Sequence, residues 1–232
     1  MNLFKFDETR DYPFYKNNPR LSKLAWFILL LTVPIAFLVS DYIYIYSEFV
    51  SSVVFCLIML IPLLYFSKWN YNLMFHKPTR NEILLGVLMF IGYIIYSEIV
   101  GDILYAFYLV GGGGGTAESL GITLESMVGL IFSLMGEELV KFIILMFFLR
   151  LLYKYTENRK ISVALSCIVV MVAFGMIHYY PGSTTAASVL ALQGAGTIFE
   201  LYAYIKTKNI FVPYISHMLT DVFIFGLIIL GF

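Results

Sequence analysis

The stretch Leu134-Met-Gly-Glu-Glu-Leu-Val-Lys-Phe-Ile-Ile144 sets two adjacent carboxylates, Glu137 and Glu138, and one cation, Lys141, into an otherwise apolar run. The run extends over 126–149, long enough as a helix to cross a hydrocarbon core that takes about 20 residues. Ionisable groups at that depth are costly and therefore rare, which makes these three functional candidates. In a helix Lys141 falls on the side of Glu137 (i, i+4) and near Glu138 (i, i+3), so it neutralises one carboxylate locally. Adjacent helical residues point about 100° apart, so one carboxylate is free for chemistry while the other pairs with Lys141. The competing reading is a buried ion cluster that only joins helices.

The rest of the chain fits a membrane setting. Of its 232 residues 60% are hydrophobic, 18% aromatic and 13% charged, and the mean hydropathy is +0.86. A soluble domain carries about 25% charged residues, so the composition predicts an integral membrane protein. Net charge is zero, which removes the basic field that nucleic-acid binding needs. Cys56 and Cys167 both lie in apolar runs with no CxxC spacing and read as small core residues. The mixed charges of the first residues predict no cleavable signal peptide.

Seven apolar segments are expected to span, at about 24–40, 49–66, 83–98, 126–149, 161–179, 184–204 and 211–230. The first and third are short and are expected to extend into their Tyr-rich flanks. The predicted fold is an all-α, polytopic bundle, one membrane domain over 1–232. A polar, interfacial arm covers 1–23, and the motif-bearing core covers 126–230. Of the 15 Lys and Arg, 14 fall before the first segment or in the loops after the second, fourth and sixth. The intervening loops 41–48, 99–125 and 180–183 hold none, so the N-terminus is expected in the cytoplasm. Lys141 is the one cation left inside the membrane.

Glycines 111–115 read as a flexible loop, because Thr116, Ala117 and Glu118 do not continue them as a phosphate cradle would. Tyr42, Tyr44 and Tyr46 fit an interfacial aromatic belt, and Gly194 and Gly196 fit close helix packing. His76 is read as a solvated loop residue. Four further ionisable residues lie in the spans: His178, in Phe174-Gly-Met-Ile-His178; Glu200; and His217 with Asp221, four apart on one helix face. Depth permits a meeting. Glu137 lies about 20 Å from Arg150, and His178 and His217 lie about 18 Å and 14 Å deep if their inner edges fall at Ser166 and Lys208. An edge at Ile161 takes His178 to about 26 Å, which strains the meeting. Glu200 is expected to snorkel toward the cytoplasmic interface or to join the cluster.

A carboxylate with a histidine can deprotonate water, and a second histidine backed by an acid can donate to a developing oxyanion. Glu137, His178 and His217 also resemble a zinc ligand set, although no HExxH is present. Membrane Glu, His and Asp equally make proton relays.

The ordered motifs Glu137-Glu138, Phe174 to His178 and His217 to Asp221 resemble those of the CAAX protease and bacteriocin-processing family of intramembrane proteases. The family carries Glu-Glu-x-x-x-Arg, Phe-x-x-x-His and His-x-x-x-Asn or Asp. Its arginine position falls here on Phe142, and the cation stands one residue earlier at Lys141. Glu-Glu-x-x-Lys is itself similar to the PrsW-type branch, whose second motif ends in Glu where this chain has His178. The resemblance implies an intramembrane endopeptidase in which Glu137 activates water with His178. It also implies that His217 and Asp221 support the oxyanion, and that Glu138, Lys141 and Phe174 order the site. A metal-free site is expected, with zinc as the alternative cofactor. The implied substrate is a membrane-associated peptide (a prenylated tail, a leader peptide or a regulatory protein), and the implied location is a prokaryotic plasma membrane. Two other readings stay open: an inactive scaffold of the same fold, and a proton-coupled transporter whose flux Glu137→Gln would abolish with no peptide cleaved.

Overall fold

The computed structural model describes residues 10–110 and 123–230. Glycines 111–115 and the first nine residues of the arm lie outside that range. Among the described residues the chain is helical: α1 (Lys23–Tyr44), α2 (Glu48–Phe66), α3 (Arg80–Ala106), α4 (Leu124–Thr156), α5 (Arg159–Ile177), α6 (Ala186–Val189), α7 (Ile198–Thr207) and α8 (Phe211–Leu230). Five of these, α1, α2, α3, α5 and α8, are long and apolar enough to cross a membrane. As expected from their flanks, α1 runs on to Tyr44 and α3 to Ala106. Side-chain caps start α1 to α6. Ser22 accepts from the Ala25 amide, and the Thr79–Glu82 box closes the first turn of α3.

The sixth expected span departs from regular helix. Between α6 and α7 the backbone forms a π-helical turn, Leu190–Ala195, a form that is rare and concentrates at functional sites. Packing accounts for where it sits. A Cβ on Gly194 would lie 2.8 Å from the Met171 carbonyl oxygen, and one on Gly175 would lie 3.0 Å from the Gly194 Cα. The two glycines therefore let α5 and this turn approach backbone to backbone.

The centre of the bundle is α4, which contacts α1, α2, α5 and α8, while α3 closes the far side against α7 and α8. Leu139, Ile143, Met146 and Leu149 on α4 are fully buried. The large apolar side chains left exposed, such as Leu38, Ile95 and Leu230, present the surface that a bilayer solvates.

Two expectations need correction. The arm is not merely interfacial. Tyr12, Phe14 and Tyr15 are buried, and Phe14 packs edge-on against both Trp26 and Phe142. Nor is His76 solvated: its ring lies 3.8 Å from Glu82, and its neighbour Asn209 donates to its carbonyl at 2.9 Å. The apolar flank of the loop hides these contacts from a reading by position.

Candidate active site

Two antiparallel hairpins bring the polar residues level. α4 does not end at Arg150 but runs on to Thr156, and α5 begins at Arg159, with Glu157 in the left-handed conformation at the turn. Glu137 and His178 then stand 20 and 21 residues from that turn, each about 30 Å away along its helix. This removes the depth conflict, because moving the edge of α5 outward also moves the edge of α4. The second hairpin joins α7 to α8 through left-handed Lys208. It places Glu200 and His217 each about 12–14 Å from Asn209.

The side chains meet at Lys141. Its ammonium donates to Glu138 and to Glu200 and lies 4.6 Å from the centre of the Phe174 ring. Exposure of only 3% for Lys141 and 4% for Glu138 makes this a desolvated ion cluster, in which loss of one partner strands the others. His217 adds to it. Its Nδ1 meets Glu138 Oε1 at 2.8 Å and lies 3.8 Å from Glu200. Its Nε2 faces Glu137 Oε2 at 3.8 Å and Asp221 Oδ1 at 3.9 Å. With Glu138 ionised, Nδ1 is the donor in that bond, and Nε2 is the nitrogen presented to the cavity. The carboxylate that orients the ring is thus Glu138; Asp221 stands beside the free nitrogen, not behind the ring.

His178 caps the end of α5. Its Nδ1 bonds the Phe174 carbonyl at 2.8 Å, which leaves its Nε2 free, and its ring packs 4.8 Å from Phe174. It makes no ion pair with the acids. It lines the same cavity of about 340 Å³ as Glu137, His217, Asp221 and Glu200. Phe174 also lies 6.4 Å from His217, so one aromatic ring borders Lys141 and both imidazoles, while Lys141 Nζ and His217 Nδ1 stand 3.4 Å apart.

The structure brings together Glu137, Glu138, Lys141, Phe174, His217 and Asp221, and places His178 on the wall of the same cavity. The snorkelling expectation for Glu200 is overturned, since it is bound by Lys141 inside the bundle. Gln193, on the π-helical turn, was also missed. It lines the cavity with its side-chain oxygen buried and unpartnered. The unusual turn that aims it has no signature in the residue pattern.

Metal ligation fits poorly. The zinc alternative to the expected metal-free site names Glu137, His178 and His217; among the described residues the atoms that gather within 4.8 Å of one another belong to Glu138, Glu200 and His217. Lys141 already donates to both of those carboxylates, so a cation there would have to displace the ammonium.

Residues 119–223 match the family model described as type II CAAX prenyl endopeptidase, Rce1-like. No curated protein and no solved structure gives a match.

Proposed function

We propose that this membrane protein, whose residues 119–223 are similar to the type II CAAX prenyl endopeptidase model, is an intramembrane peptide hydrolase built on Glu137. The substrate is a membrane-associated peptide of the prenylated class for which the matched family is named. Glu137 is the general base. It takes a proton from water as the water oxygen adds to the scissile carbonyl carbon, and returns that proton to the leaving nitrogen as the C–N bond breaks. His178, whose Nδ1 is tied to the Phe174 carbonyl, helps hold the water through its free Nε2. His217 is fixed at Nδ1 by Glu138 and in its protonated form turns Nε2–H toward the developing oxyanion, with Asp221 in its acid form as a second donor. Glu138, Lys141 and Glu200 are positioning residues that keep this imidazole in place. Compensating charge comes from Lys141, so the proposal needs no metal.

One observation carries the reading: His217 Nε2 stands 3.8 Å from Glu137 Oε2 inside the cavity that His178 lines. That gap is too long for a direct hydrogen bond and suits a shared water or a substrate oxygen. The test is cleavage of a membrane-peptide library, prenylated and unprenylated, by purified wild type, Glu137→Gln and His178→Ala. The proposal expects only wild type to cut efficiently; equal cutting by all three would overturn it.

A further inference from the structure

On the other side of the arm, away from the ion cluster, lies a cavity of about 780 Å³, within the size range of small-molecule sites. Five cations line it: Lys16 and Arg20 from the arm, Lys23 from the start of α1, and Arg150 and Lys154 from the end of α4. Among the described residues no acidic side chain lines it. Among the described residues none of the five forms an ion pair with a carboxylate. Arg150 donates instead to the backbone oxygens of Phe14 and Lys16, at 3.2 and 3.3 Å. Lys16 lies over the rings of Tyr15 and Tyr153, at 5.2 and 5.4 Å. Arg20 acts on Arg150 as a like charge. Among the described residues the fold has therefore gathered positive charge around an open volume and lined it with no carboxylate, an arrangement that favours a bound anion.

The rest of the lining is apolar and continuous with the outer surface. Phe27, 63% exposed, and Leu151 open the cavity toward lipid, while Leu30 and Phe147 form its inner wall. The cation distribution puts this end of the bundle on the cytoplasmic side, where the leaflet carries anionic headgroups. A basic pocket between membrane helices on that side has the chemistry of a headgroup site.

We propose that this cavity binds an anionic phospholipid of the cytoplasmic leaflet, with its phosphate among Arg20, Arg150 and Lys154 and an acyl chain against Phe27 and Leu151. The bound lipid ties the arm to α4. The inference rests on the membrane topology, not on the protease assignment. The site lies about 14 Å along α4 from Lys141 and shares no residue with the catalytic cavity.

The test uses the full chain purified in neutral detergent. It is offered phosphatidylglycerol or phosphatidylcholine of identical acyl chains, and retained lipid is counted by native mass spectrometry. Wild type should retain phosphatidylglycerol at least about tenfold better. Arg20→Ala/Lys154→Ala should weaken that retention about 25-fold, near fivefold for each cation removed, and leave phosphatidylcholine unchanged. Arg80→Ala, a cytoplasmic cation outside the cavity, should behave as wild type. Millimolar inorganic phosphate should fail to displace the lipid; displacement would assign the site to free phosphate and overturn the proposal. Equal retention of the two lipids, or full phosphatidylglycerol retention by the double variant, would also overturn it. If the double variant melts early, Lys16→Ala/Lys23→Ala on the rim gives the same reading.

Discussion

Lys141 meets Glu138 three residues back and Glu200 fifty-nine residues ahead, and this pairing governs how the site is read. Replacement by Met leaves two buried carboxylates facing each other. Lys141→Met should therefore destabilise the protein by about 3–5 kcal/mol, read as a lowered melting temperature in detergent. Adding Glu138→Gln should recover part of the loss, and a melting temperature unchanged in the single variant would show that the cluster is not desolvated. Since the ammonium occupies the place of a cation, cleavage is expected to survive strict chelation; loss of cleavage with rescue by zinc would reverse that assignment. Glu137, Glu138, Lys141, His178 and His217 were legible in the sequence because each breaks an apolar run, and such breaks are expensive in a bilayer. Glu200 was equally conspicuous but could not be placed. It lies within ten residues of Lys206 and Lys208, near the end of the apolar segment, so snorkelling satisfies it as well as Lys141 does, and only the α7–α8 hairpin decides between them.

At the scale of elements, helix ends proved less legible than helix centres. Caps and left-handed turns at Glu157 and Lys208 follow local polar residues, whereas hydropathy fades gradually. At Arg150 the cations end the apolar signal, but the helix carries on for six residues to Thr156. The π-helical turn was invisible because its cause is a packing partner elsewhere, Gly175 against Gly194. A methyl group there has no room. Gly194→Ala should destabilise by about 1–3 kcal/mol and, by shifting Gln193 and Glu200, lower cleavage. Gly226→Ala, with nothing within 4 Å of its added Cβ, should match wild type in both assays. Equal effects of the two substitutions would show that helix propensity and not close approach sets the cost.

Across the whole molecule, α4 is both the buried centre of the bundle and the carrier of Glu137, Glu138 and Lys141, so stability and site geometry depend on the same helix. The arm seals one end of the bundle: Phe14 reaches Phe142, the residue after Lys141, and Phe142 in turn packs edge-on against Tyr204 of α7. Phe14→Ala should cost about 3–5 kcal/mol, seen as a lower melting temperature, while a merely interfacial arm would tolerate it. The helical bundle was readable from hydropathy. The folding of the arm into the core was not, because its aromatic residues are interspersed with charges and carry no helical period. The central claim is that Glu137 is the base of a peptide hydrolase, and Glu137→Gln tests it with almost no change of shape. Cleavage of a membrane peptide by the folded variant should fall about 10²–10⁴-fold relative to wild type, and cleavage at the wild-type rate would contradict the account.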